Sequence, residues 1–228
     1  MNNKHITIAI DGPAGAGKST IARRLAANLG CIYVDTGALY RTIALSCMTN
    51  GVDPKNETEV VKHLDGINVG IEYREGVQCV LLNGNDVSAL IRTPEVSENA
   101  SVVSAYPKVR EFLLEQQRRL ARENSVVMDG RDIATVVLPD AKVKIFLMAS
   151  PEERANRRYK ELMEKGQMVV YDEVLSDIKS RDYRDSHREV APLKCADDAV
   201  LVDTTDKNIE QAVAALESVV NSKLSEEK

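Results

Sequence analysis

Residues Ile6 to Thr20, ITIAIDGPAGAGKST, join a short β-branched apolar run to Gly12-Pro13-Ala14-Gly15-Ala16-Gly17-Lys18-Ser19. The second part has the G-x-x-x-x-G-K-[ST] spacing of a phosphate-binding loop. Glycines let such a backbone curl until successive N–H groups point at phosphate oxygens, with the start of a helix behind them. In that arrangement Lys18 reaches the β- and γ-phosphates, and the Ser19 hydroxyl ligates the Mg²⁺ that travels with them. The motif demands a strand before it and a helix after it. Ile6, Ile8 and Ile10 supply the strand; Ile21, Ala22, Leu25, Ala26 and Leu29 fall on one helical face, with Gly30 as a stop. An ordinary glycine-rich turn with a surface lysine would need none of this context. The loop predicts a nucleoside triphosphate ligand.

The chain has 228 residues, enough for one domain with an insertion. No apolar run approaches a membrane span, and the first strand begins too early to leave room for a secretory leader. Cys31, Cys47, Cys79 and Cys195 are scattered without metal-binding spacing, which predicts reduced thiols and a cytoplasmic setting. His5, His63 and His187 form no metal spacing either. A net charge of −5 argues against a nucleic-acid partner. Arginine is nevertheless concentrated between Arg110 and Arg188, as expected where a small anion is held. For Arg118, Arg119 and Arg122, glutamate neighbours instead favour solvated helix faces.

Five apolar runs read as strands of a parallel sheet: Ile6–Ile10, Cys31–Val34, Val126–Met128, Val143–Met148 and Val200–Val202. Long helical patterns separate most of them, giving an α/β class. Ligands of such sheets sit at the carboxyl ends of the strands. That rule puts the phosphate loop, Asp35-Thr36-Gly37 and Asp129-Gly130-Arg131-Asp132 on one rim. Residues Ile67 to Ile91 differ, with alternating runs broken at Arg74-Glu75-Gly76 and Asn83-Gly84, and predict two or three antiparallel strands as an insert. Nothing in the insert's composition demands chemistry. Val96 to Glu123 reads as helix interrupted near Pro107, and Pro151–Gly166 and Val170–Arg188 as two further helices. The tail SKLSEEK is expected to fray.

A triphosphate loop alone fits a switch, a motor or a kinase. The N-K-x-D guanine-recognition motif of a switch is missing from the sequence, whereas a kinase needs a second anion site opposite the γ-phosphate. Arg181, Asp185 and Arg188, at i, i+4 and i+7, share one predicted helix face, with Arg184 at its edge; Arg154, Arg157 and Arg158 repeat the pattern at i, i+3 and i+4. Guanidinium groups bind phosphate bidentately and remain charged. The competing reading of each set is a surface salt-bridge ladder. Asp132 is either a polar reader or the N-cap of a helix starting at Ile133. Asp129 either orients a magnesium-bound water or merely ends its strand.

GPAGAGKST, DTGALYR, IRTPEV, MDGRDIATVVLPDA, KIFLMAS and RDYRDSHREVAPL, in this order and with the hairpin insert, resemble the bacterial-type cytidylate kinases across nearly the whole chain. The resemblance implies a single P-loop kinase domain over residues 1–228: a three-layer α/β fold with a five-stranded parallel core. Within it, residues 36–110 would form an acceptor-binding region containing the antiparallel insert near 67–91, and residues 151–170 a helical lid. It implies transfer of phosphate from ATP to CMP, with dCMP as a second acceptor, by a cytoplasmic, largely monomeric enzyme. On this likeness Gly12, Pro13, Ala14, Gly15, Ala16, Gly17, Lys18, Ser19 and Thr20 hold ATP, and Arg154, Arg157 and Arg158 close over it. Arg41, Arg131 and Arg188 surround the acceptor phosphate. Ser101, Arg110 and Asp132 read cytosine, and Arg181 and Asp185 lie by the sugar and the transferring phosphate. Lys18, Arg131, Arg181 and Arg188 carry the transfer. Thr36, also in the acceptor site, keeps the hydroxyl of a family serine, and Ser19 supplies a direct magnesium ligand where a glycine also occurs.

Chemistry supports these implied roles. Cytosine offers an N4 donor beside the N3 and O2 acceptors, a match for one carboxylate and one arginine. Uracil would set a carbonyl oxygen against Asp132. No general base is needed, because a nucleotide phosphate is already anionic at neutral pH.

Overall fold

Five short runs, apolar on both faces, pair into a parallel sheet. The computed structural model describes residues 5–226. In chain order its elements begin with β1 (Thr7–Asp11), α1 (Lys18–Leu29), β2 (Ile32–Asp35), α2 (Thr36–Thr49), α3 (Glu57–Leu64), β3 (Val69–Arg74), β4 (Val77–Leu82) and β5 (Asn85–Asp86). They continue with α4 (Pro94–Val103), α5 (Pro107–Glu123), β6 (Val126–Gly130), β7 (Val143–Met148), α6 (Pro151–Glu164), α7 (Tyr171–His187), β8 (Val200–Asp203) and α8 (Ile209–Ser225). The core sheet runs β2-β6-β1-β7-β8. Ile8 and Ile10 point from β1 into a core built with Leu25 of α1 and Leu216 of α8. Ala9, between them, faces the other way, into a core with Met128 and Ala121 of α5. Alternate side chains are thus buried on opposite faces, which makes three layers.

Parallel register aligns the strand ends. Ile10 stands opposite Asp129 and Asp11 opposite Gly130, while Asp35 stands opposite Asp129. Both polar turns therefore emerge beside the phosphate loop, on one rim as expected. Gly12 lets that loop approach β7: a Cβ there would lie 1.9 Å from the Leu147 carbonyl oxygen. Gly17, at φ 85°, turns the loop into α1, and Gly30, also left-handed, ends the helix.

The insert is a three-stranded antiparallel sheet, β3-β4-β5. It covers the outer edge of β2, which would otherwise expose unpaired backbone groups. Tyr73 donates its hydroxyl to the Tyr33 carbonyl at 2.9 Å. Gln78, directly across from Tyr73 in the hairpin, accepts from the Asp35 N–H at 2.8 Å and donates to the Asp35 carbonyl at 3.3 Å. Two side chains thus take the place of a neighbouring strand, next to the turn that starts α2.

Two expectations need correction. As far as it is described, the tail does not fray: α8 runs through Ser225, held by a reciprocal Asn208–Gln211 capping box and by Ala212, Leu216 and Val220 in the core, and Glu227 and Lys228 lie outside the described residues. Arg188 does not continue the α7 face. The helix stops at His187 and Arg188 is extended, at φ −64° and ψ 144°.

Candidate active site

A cavity of about 890 Å³ opens along the rim, lined by the phosphate loop, the start of α2, α4, the β6 turn and the end of α7. Ala14, Gly15, Gly17, Lys18, Ser19 and Thr20 form one wall. Ala16 anchors the loop in the core. Lys18 is buried and donates from Nζ to the Pro13 carbonyl at 2.7 Å. Burial, with the positive charge of Arg131, pushes its ammonium down to about 7. Ser19 donates to Asp129 Oδ2 at 3.0 Å, and Tyr33 donates to Oδ1 at 2.9 Å. Burial and the nearby Asp35 push the Asp129 carboxyl up to about 6. Among the described residues no group of three His, Cys, Asp or Glu side chains is set up to hold a metal. The Ser19–Asp129 oxygen pair, beside the phosphate cradle, suits a magnesium ion that shares its remaining positions with phosphate and water.

Across the cavity stand the arginines. Arg41 reaches Asp35 Oδ2 at 2.8 Å, and Asp35 also caps α2 by accepting from the Ala38 N–H at 3.0 Å. Arg131 donates from Nε to Asp185 Oδ2 at 2.8 Å. Arg188 donates from Nε to the Ala191 carbonyl at 2.6 Å. Nε of Arg41, Nε of Arg181 and one terminal nitrogen of Arg188 are buried without a hydrogen-bond partner. Burial and the charge of Arg131 lower Arg181 to about 10. Burial raises Asp185, but Arg131, Arg181 and Arg188 outweigh it and hold the carboxylate below its ordinary range. Four guanidinium groups, those of Arg41, Arg131, Arg181 and Arg188, line the one cavity, a concentration of positive charge suited to an anion.

Asp132 does not cap the helical turn that follows it. That turn, Ile133–Val137, is a π-helix without a side-chain cap from Asp132. The carboxylate instead pairs with Arg110 and stands 3.7 Å from Arg188. Arg110 also donates to the Ser104 carbonyl at 2.9 Å and lies over the Tyr40 ring. Ser101 lines the same wall, and Thr36 donates to the Asp129 carbonyl at 2.8 Å.

A family model described as cytidylate kinase matches residues 8–222. The chain belongs to the cytidylate kinase family. A cytidylate kinase of Lactobacillus johnsonii is 48% identical over 97% of this chain and 96% of its own length. One of Carboxydothermus hydrogenoformans is 50% identical, covering 95% of this chain and 97% of its own. Among solved structures, an uncharacterized protein of Eubacterium ventriosum matches with a TM-score of 0.52 at 14% identity, covering 96% of this chain and 99% of that one. That last likeness concerns the fold alone.

For this cytidylate kinase family member, the arginines of α6 divide by environment. Arg157 lines the cavity and donates to the Thr204 carbonyl at 2.7 Å. Arg154 is buried behind the loop, donating to the Ala14 carbonyl at 3.0 Å and gripping Asp182 at 2.9 and 2.5 Å. It fixes the loop to α7 and does not face the cavity. Arg158 pairs with Glu161 at 2.9 Å and is not part of the lining. Arg184 is exposed.

Three residues that sequence reasoning passed over support the site from behind its lining. Tyr33 holds Asp129, Gln78 holds Asp35, and Asp11 accepts from the N–H groups of Ile133 and Ala134. Only Asp11 had a visible signal, a carboxylate at the end of an apolar strand.

Proposed function

We propose that the protein transfers the γ-phosphate of ATP to CMP or dCMP, releasing ADP and CDP or dCDP. The reading rests most on one observation: Arg41, Arg131, Arg181 and Arg188 line the same cavity as Lys18 of the phosphate loop. The family supplies the acceptor's identity. The acceptor phosphate is itself the nucleophile, so the site needs no general base. Lys18 neutralises the β- and γ-oxygens, and Arg131, Arg181 and Arg188 screen the repulsion between two polyanions drawn into line. Asp132 and Arg110 take the N4 and the N3/O2 edges of cytosine, with Ser101 beside them. Magnesium, held through Ser19 and a water on Asp129, would add charge neutralisation on the bridged phosphates. Arg157, on residues 151–170, closes the donor side and helps exclude water. The enzyme works as a monomer in the cytoplasm, in keeping with its four unpaired cysteines.

Purified protein with Mg-ATP is offered CMP, dCMP, UMP, AMP and a hydroxy acid in parallel. Fastest turnover on CMP or dCMP is expected. Transfer to UMP or AMP with none to CMP would overturn the base assignment.

A further inference from the structure

Asp11 ends β1 and immediately precedes the phosphate loop, yet it belongs to neither substrate wall. It is 1% exposed. Its oxygens accept from the Ile133 N–H at 2.8 Å and the Ala134 N–H at 2.7 Å. These are the first two backbone donors of the π-helical turn that Asp132 opens. At a helix start the preceding side chain, here Asp132, ordinarily caps the second or third donor, and Ala134 is the second. Asp11 does that work from the neighbouring strand. Both Asp132 oxygens are thereby left for Arg110 and Arg188.

We infer that Asp11 is a positioning residue for acceptor selection: by capping the Ile133–Ala134 donors it releases Asp132 to read the acceptor base. The inference rests on the proposed CMP-kinase reading. Without Asp11, the shortest remedy for the uncapped Ala134 N–H is for Asp132 to turn back onto its own helix, away from Arg110. Because Gly12 follows Asp11 directly, the same residue also fixes the base reader relative to the donor loop. A carboxylate suits the position better than an amide, since only the carboxylate offers two acceptors and no competing donor.

The test is a double-mutant cycle of Asp11→Asn and Asp132→Ala, with kcat/KM for CMP and UMP and KM for ATP measured in each protein. Asp11→Asn is expected to lower kcat/KM for CMP about tenfold and to compress the CMP/UMP ratio by a similar factor, with KM for ATP within about twofold. In the Asp132→Ala background, adding Asp11→Asn should change that ratio by less than about twofold. Equal losses on CMP and UMP, a rise confined to KM for ATP, or additive effects on the ratio would each overturn the inference. If Asp11→Asn does not fold, Asp11→Ser, which keeps an acceptor without the amide donors, is judged by the same ratio and cycle. Wild-type protein that turned over UMP or AMP but not CMP would remove the functional reading itself. Normal CMP turnover with an unchanged ratio in the variants would remove only the role of Asp11.

Discussion

Asp132 and Arg110 form an ion pair in which only 6% and 9% of the respective side chains are exposed. Such a pair is costly to desolvate and contributes little to stability by itself. Here it leaves a carboxylate and a guanidinium side by side in the cavity wall, the hydrogen-bonding complement of a cytosine edge. Arg188 approaches the same carboxylate without completing a hydrogen bond.

Arg188→Ala should therefore cost turnover far more than stability. Asp132 keeps Arg110, so the loss of Arg188 strands no charge in the fold. A fall in kcat of about 100-fold or more is expected if Arg188 screens the phosphates. The melting temperature should shift by only a few degrees, about 1 kcal/mol for a chain of this size. Parallel thermal melts and steady-state assays decide it; a large drop in melting temperature that accounts for the lost activity would return Arg188 to a structural salt bridge.

Lys18 should take up a proton when ATP binds. Burial and Arg131 push its ammonium down to about 7 in the ligand-free site, and the arriving phosphates restore the charged form. Near pH 8 the uptake should approach about one proton. Titration calorimetry in two buffers of different ionisation enthalpy reads this number directly. The same heat in both buffers would contradict it.

Asp129→Asn should trade stability for activity. The folded carboxyl sits at about 6, above its ordinary 3.8, so the folded state binds the proton more tightly than the unfolded chain. The stabilisation from that proton is complete below about 3.8 and is lost as pH rises through about 6. At pH 7.5 the buried charge is a burden that asparagine relieves. The variant should melt a few degrees higher than wild type at pH 7.5, the gap narrowing toward pH 5. Turnover should fall about 100-fold. A lower melting temperature at pH 7.5 would mean that the Ser19 and Tyr33 hydrogen bonds outweigh the cost of burial.

Gly12→Ala should damage the fold, and Gly30→Ala should not. A Cβ at Gly12 would meet the Leu147 carbonyl at 1.9 Å, whereas at Gly30 nothing lies within 4 Å. Alanine at Gly30 costs only its left-handed backbone, about 1 kcal/mol. At Gly12 the loop must leave β7, a loss of about 3 kcal/mol or more. Urea denaturation of the two variants gives the comparison.

Much of this architecture was legible because its strands are apolar on both faces and its turns carry Gly30, Gly76 and Asn83-Gly84. Parallel register then placed the rim. Where sequence and structure part, the deciding contact lies outside the local segment. The helical period running through Arg181 and Asp185 extends to Arg188, but the chain becomes extended there. The polar tail reads as frayed by its own composition, whereas its hold lies upstream, in the Asn208–Gln211 box and the Leu216 and Val220 spacing. Asp132 could be a cap as well as a polar reader on sequence alone, because the residue that does the capping, Asp11, arrives from a different strand. Arg154 and Arg158 differ only in what lies opposite each: the Ala14 carbonyl and Asp182 for one, Glu161 for the other. No local pattern carries that information.

The most direct measurement is the ratio of kcat/KM for CMP to that for UMP in wild type and in Asp132→Ala. A carboxylate that pairs with the cytosine amino group and opposes the uracil carbonyl should make the wild-type ratio about 100 or more. Asp132→Ala should lower CMP turnover and bring the ratio down toward one. A variant that loses activity on both acceptors equally, leaving the ratio at its wild-type value, would show that Asp132 does not read the base and would contradict the assignment of this cavity.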